Sequence, residues 1–204
     1  MKMNLPNKLT VLRLLLVPAI IFVLLLPVSN VTDIIGAFIF AVASITDMLD
    51  GKIARKRGLI TDFGKFLDPL ADKFMVIAAM MSIIYRSADD KLLFNVFMPL
   101  LIVTVFRELA VASIRLVAST TGGVVVPANM LGKIKTVSQI VCVLSALLEP
   151  VINNVIVNIF QGMEKTVFSY YPLTLASAAV SLVFTVISGI VYIKTYWKYL
   201  DVQK

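Results

Sequence analysis

Residues 47–72 read DMLDGKIARKRGLITDFGKFLDPLAD, in a chain that is otherwise overwhelmingly apolar. Asp47, Asp50, Asp68 and Asp72 stand in this stretch, with Gly51, Ala54, Arg55 and Gly64 between them. Charged groups within reach of lipid are costly, and the default reading of such groups is a functional site. Asp47, Asp50, Gly51 and Ala54 follow the spacing i, i+3, i+4, i+7, which puts them on one face of a helix. Gly64, Asp68 and Asp72 recur every four residues and share a face of the next helix. The short polar link between them, KRGLITDFG, predicts antiparallel neighbours whose two faces oppose each other. The small residues then leave room for a ligand or for close approach of backbone. Four carboxylates in one small volume do not all stay ionised without cations. The competing reading pairs these acids with Arg55, Lys56, Arg57, Lys65 and Lys73 at the membrane surface. Two matched faces with small residues interleaved favour a site.

Outside this stretch the composition sets the solvent. Of 204 residues 59% are apolar and only 15% are charged, whereas ordinary soluble domains are about half apolar and a quarter charged. The expectation is an all-α integral membrane protein, one domain over residues 1–204. A short interfacial segment over 1–8 should lead into six transmembrane helices near 9–27, 32–56, 65–85, 92–118, 131–152 and 172–196. Each is close to the ~20 residues that a ~30 Å hydrocarbon layer requires. The opening MKMNLPNKLTVLRLLLVP lacks a small-residue cleavage site, which argues against a signal peptide. TTGGVVVP at 120–127 breaks the helical pattern, and 153–171 is a connection for which a short interfacial helix is one option.

Six spans put both termini on one side of the membrane. Lys2, Lys8, Lys52, Arg55, Lys56, Arg57, Lys65, Lys133, Lys135, Lys194, Lys198 and Lys204 fall there, against Arg86, Lys91 and Lys165 opposite. The positive-inside rule makes the crowded side cytoplasmic. The net charge of +7 is thus a mark of topology and of anionic headgroups, and not of nucleic acid. At a rise of 1.5 Å per residue, Arg107, Arg115, Lys133 and Lys135 reach the depth of the aspartates. Histidine is absent and the single cysteine, Cys142, lies in an apolar run where it packs. Acid–base chemistry therefore falls to carboxylate, lysine or tyrosine. Oxygen ligands alone suit Mg²⁺, Mn²⁺ or Ca²⁺ rather than zinc, and a carboxylate-bridged pair of such ions suits phosphoryl transfer.

The pattern Asp47-x2-Asp50-Gly51-x2-Ala54-Arg55-x8-Gly64-x3-Asp68-x3-Asp72 resembles the complete signature of the CDP-alcohol phosphotransferase family. The resemblance implies six membrane helices and a homodimer. It also implies transfer of a substituted phosphate from a CDP-linked donor to an alcohol, with release of CMP. Asp47, Asp50 and Asp68 match metal ligands, and Asp72 matches the general base and a further metal contact. Asp50, Gly51, Arg55 and Asp62, an acid of the link, match positions that hold the nucleotide, with Thr10 and Arg13 lining the same pocket. Two divalent cations, Mg²⁺ or Mn²⁺, are the implied cofactors.

A finer likeness covers most of the chain. Asn4-Leu5-Pro6-Asn7-Lys8-Leu9-Thr10 with Arg13, FGKFLDPLADK around Asp68, Arg107-Glu108 and Gly132-Lys133-Ile134-Lys135-Thr136 resemble the bacterial phosphatidylglycerophosphate synthases of this family. That implies CDP-diacylglycerol as donor and sn-glycerol 3-phosphate as acceptor. The acceptor keeps its phosphate, so Arg107, Arg115, Lys133 and Lys135 are its expected cations, with Glu108 orienting an arginine. Serine, inositol phosphate and phosphatidylglycerol are the rival acceptors. A membrane prenyltransferase also holds a diphosphate on aspartates, but needs a second Asp cluster that the chain lacks. A divalent-cation transporter would place its acids near mid-membrane in paired broken helices.

Overall fold

The computed structural model describes residues 4–57, 61–122, 130–160 and 167–197, with the side chains of 50–57, 62, 65, 119–122, 167 and 168 outside the description. Six α-helices account for almost all of it: α1 (Leu5–Leu25), α2 (Asn30–Arg57), α3 (Asp62–Arg86), α4 (Lys91–Gly122), α5 (Met130–Ile159) and α6 (Pro172–Tyr196). Four of them, α1, α2 over Asn30–Leu49, α5 and α6, are long and apolar enough to cross a membrane. Large apolar side chains point outward along the bundle; Phe22, Phe38 and Phe106 are 68%, 67% and 71% exposed. Water would penalise so much exposed hydrocarbon, whereas lipid accepts it.

Local chemistry sets the helix ends. Asn4 caps α1 by accepting the Asn7 N–H at 3.0 Å, with Pro in the first turn. The helix therefore starts at Leu5, so residues 5–8 form its first turn instead of a separate interfacial segment. Ser29 and Thr32 cap α2 reciprocally, each backbone N–H donating to the other's hydroxyl at 3.0 and 3.2 Å. Thr61 caps α3 by accepting the Gly64 N–H at 3.0 Å. That makes Asp62 the first residue of α3 and not a loop acid; its side chain lies outside the described residues. Asp90 caps α4 through the N–H groups of Leu92 and Leu93. Beyond the expected end near 152, the segment VINNVIVNI keeps α5 helical to Ile159, and a short 3₁₀ turn spans Val167–Tyr170.

The cap of α6 comes from another helix. Tyr171, in the left-handed region at φ 53°, offers no side-chain cap. Glu149 of α5, 1% exposed, takes the Leu173 and Thr174 N–H groups at 2.9 and 2.8 Å and the Thr174 hydroxyl at 2.7 Å. A carboxylate there also meets the positive end of the helix dipole. Glu149→Gln keeps the shape but not the charge and is expected to cost about 1–2 kcal/mol. A fall of a few degrees in melting temperature of the detergent-purified protein would report it.

The helices close into a ring in the order α1–α2–α5–α6–α4–α3, and α1 lies along both α2 and α3. The expected face-to-face meeting of α2 and α3 is therefore mediated by α1, because those two helices touch each other far less than either touches α1. The apolar core, including Ile20, Leu24, Phe40, Met75, Met80, Phe97, Leu100 and Val143, fills the half of the bundle away from the carboxylates. Cys142 sits in that core at 0% exposure as a free thiol, the packing role its apolar surroundings predict. The end beyond the core is tied by polar pairs. Asp33 of α2 meets Arg86 of α3 at 2.5 Å, both side chains buried, and Asn30 meets Asn154 at 2.7 Å.

Candidate active site

The opposite end holds the charges. Arg13, wholly buried on α1, forms an ion pair with Asp47 of α2 at 2.5 Å. One turn earlier on α1, the Thr10 hydroxyl donates to Asp68 of α3 at 2.5 Å and also to the Pro6 carbonyl. The two residues expected to line a nucleotide pocket thus hold two of the aspartates, one on each flanking helix. Gly64 explains how α1 comes so close. A Cβ there would stand 3.0 Å from Asn7 Oδ1 and 3.3 Å from Thr61 Oγ1, while the Thr61 hydroxyl donates to Asn7 Oδ1 at 3.0 Å. The room expected at Gly64, for a ligand or for close approach of backbone, is filled by the Asn7 side chain as α1 packs close to α3.

Asp72 lies one turn further along α3 than Asp68, close enough to Asp47, Arg13, Lys135 and Glu108 to feel their charges. Its Oδ1 is buried without a hydrogen-bond partner among the described residues. A buried acceptor is rarely left unmatched unless a ligand completes it. Asp50, Gly51 and Arg55 fall on the helical part of α2 whose side chains lie outside the description. Among the described residues no three acids stand together as a ready metal cluster. The donor set nonetheless fits a hard divalent cation: Asp47, Asp68 and Asp72 offer oxygen alone, and one Asp72 oxygen is open.

A second group lies beside the first. Glu108 of α4, 8% exposed, accepts from Arg107 at 2.9 Å and from Lys135 of α5, and Lys73 of α3 stands 3.6 Å from its other oxygen. Among the described residues α4 and α5 make no close backbone approach. Side chains bridge them: Lys135 to Glu108, and Gln139 to Thr104 at 3.1 Å, with Thr185 of α6 at 3.5 Å. Gly189 makes space for Arg107, since a Cβ there would stand 3.2 Å from Arg107 Cγ; at Gly132 a Cβ would be in ordinary contact with the guanidinium at 3.9 Å. Arg107 and Gly189 also line an apolar cavity of about 230 Å³ between α4 and α6.

Of the four expected acceptor cations, the fold gathers Arg107 and Lys135 and leaves the other two apart. Arg115 is exposed and donates to the Tyr192 hydroxyl at 3.2 and 3.3 Å, with its guanidinium 5.9 Å from the ring centre. Lys133 is exposed two residues before Lys135, on a different face of α5. Sequence reasoning left Lys73, Gln139, Thr61 and Tyr192 out of the site. Only Thr61 carried a usable signal, a capping threonine three residues ahead of Gly64.

A profile described as CDP-alcohol phosphatidyltransferase matches residues 3–187. The chain is similar to the protein of Bacillus subtilis named CDP-diacylglycerol–glycerol-3-phosphate 3-phosphatidyltransferase, at 39% identity over 208 residues, 97% of each chain. Proteins of the same name from Wigglesworthia glossinidia brevipalpis and Rickettsia bellii are 33% and 39% identical, covering 83% and 67% of this chain and 91% and 70% of theirs. With the aspartate signature on α2 and α3 and a match over most of its length, the chain belongs to the CDP-alcohol phosphatidyltransferase family.

Proposed function

We propose that this membrane protein transfers the phosphatidyl group of CDP-diacylglycerol to sn-glycerol 3-phosphate, giving phosphatidylglycerophosphate and CMP. The relatives' shared name supports both substrates. The observation that carries the reading is the join between the two groups. A carboxylate oxygen on Asp72, buried without a hydrogen-bond partner among the described residues, lies within electrostatic reach of a cation cluster built on Glu108, so one small molecule can meet both.

In this reading Asp72 takes the proton from the acceptor hydroxyl, which attacks the β-phosphorus in line as CMP leaves. Arg107 and Lys135 hold the phosphate that the acceptor keeps, and Glu108 keeps the Arg107 fork aimed. Arg13 and Thr10 fix the rotamers of Asp47 and Asp68 and line the nucleotide side together with Asp50, Gly51, Arg55 and Asp62. Asp47, Asp50, Asp68 and Asp72 would hold Mg²⁺ or Mn²⁺, which when bound would supply charge neutralisation at the donor's diphosphate. Both termini and the site face the cytoplasm, as the placement of lysine and arginine supports. Two copies assemble as a homodimer, as the family resemblance implies.

The test is an assay of the purified protein with CDP-diacylglycerol, Mg²⁺ or Mn²⁺ and labelled glycerol 3-phosphate. CMP and a labelled lipid phosphate are the expected products. Turnover with serine or inositol phosphate, and none with glycerol 3-phosphate, would overturn the acceptor assignment.

A further inference from the structure

Glu108 is the only acid, among the described residues, in contact with Arg107, Lys135 and Lys73, which come from three different helices. Three cations touch one carboxylate, with Asp72 the next acid within reach of Lys135, which leaves net positive charge in a largely buried place, since the Glu108, Lys135 and Arg107 side chains are 10%, 8% and 12% exposed. Uncompensated charge in such a place is costly. A ligand that balances it is an anion, and a phosphate monoester, with about two negative charges near neutral pH, suits three donors of this kind. The arrangement has the form of a receptor assembled before its ligand arrives. Without the carboxylate, the three cations would repel one another and turn to other partners.

Lys73 adds a positional argument. It follows Asp72 directly, so the two side chains leave α3 about 100° apart, one open to the carboxylate group and the other turned to Glu108. Its contact is loose, at 3.6 Å, and its side chain is 33% exposed. A loose, partly open ion pair contributes little to holding helices together, but leaves an ammonium free to close on an incoming anion. In glycerol 3-phosphate the free primary hydroxyl and the phosphate are separated by three carbons. Anchoring the phosphate at Lys73 would bring that hydroxyl to the neighbouring Asp72.

We propose that Glu108 is a positioning residue that holds Lys73, Arg107 and Lys135 as one receptor for the acceptor's phosphate, and that Lys73 is itself a ligand of that phosphate. This rests on the acceptor reading above. The sign of one substitution separates it from simple electrostatics. Glu108→Gln raises the net positive charge of the group by one, and attraction alone would then lower the KM for glycerol 3-phosphate. A positioning role predicts the opposite.

The experiment is steady-state kinetics of the full chain in mixed micelles, with titration of inorganic phosphate into the purified protein as a second arm. Lys73→Met is expected to raise the KM for glycerol 3-phosphate about tenfold, with kcat within about threefold and the KM for CDP-diacylglycerol unchanged. The Kd for inorganic phosphate should rise in parallel. Glu108→Gln should raise the same KM at least about tenfold, and Glu108→Asp should recover part of that loss. An unchanged KM and phosphate Kd in Lys73→Met, or a lowered KM in Glu108→Gln, would overturn the proposal. If Glu108→Gln does not fold, the partly exposed Lys73 decides by itself. If the wild-type protein rejects glycerol 3-phosphate, the acceptor reading fails while the phosphate titration still judges the receptor.

Discussion

Asp72→Asn is expected to lower kcat by about 10²–10⁴-fold, the usual contribution of a positioned general base, with the KM for CDP-diacylglycerol nearly unchanged. Asn matches Asp in shape, so neither the packing of α3 nor the fold should suffer. What it removes is the capacity to accept a proton at an oxygen that is buried and unmatched among the described residues. Asp68 provides the contrast. Its oxygen is held by Thr10 at 2.5 Å, and Asp68→Asn should weaken donor and metal binding together, since its part is to hold and not to move a proton. Calorimetric titration of Mg²⁺ and a CDP-diacylglycerol analogue into both variants checks the division. Donor binding lost in Asp72→Asn would recast Asp72 as a ligand only.

Asp33→Ala is expected to destabilise the protein by about 3–5 kcal/mol, because it leaves Arg86 buried without its counter-ion. The pair is 2.5 Å apart with side chains 7% and 6% exposed, so solvent screens it little. At about 2–4 °C per kcal/mol for a chain of this length, the melting temperature in detergent should fall by roughly 10 °C. The double variant Asp33→Leu/Arg86→Leu removes both charges and should recover most of the loss, since an apolar pair of similar volume is often as stable as a buried ion pair. A single variant that melts like the wild type would show that the pair is solvated in the membrane-embedded protein.

The helices were legible because apolar runs bounded by Pro, Gly and charge leave few alternatives, and they fall within a few residues of their expected spans except at the end of α5, which runs on from 152 to Ile159. The early start of α1 was also written in Asn4 and Pro6, a cap and a first-turn proline. Relative placement was not legible. The spacing of Asp47, Asp68 and Asp72 shows which residues share a face, but says nothing of a third helix entering between the faces. Arg13 meeting Asp47 joins α1 to α2 across 34 residues of sequence, and Glu108 meeting Lys135 joins α4 to α5 across 27. Such pairings are products of packing. The loose Lys73 contact and the cap that Glu149 lends to α6 belong to the same class: a side chain's reach decides them, and no periodicity records it.

The polar ties at the end away from the aspartates have a mechanical consequence. Asp33–Arg86, Asn30–Asn154 and the Glu149 cap tie four of the six helices, α2, α3, α5 and α6, at one end. The bundle is built like tongs riveted at the base. Rearrangement of the side-chain pairs at the charged end around a ligand is thereby expected to leave the bonds at the rivet intact. A change at the riveted pole is therefore expected to register first in melting temperature, and a change at the charged pole first in turnover.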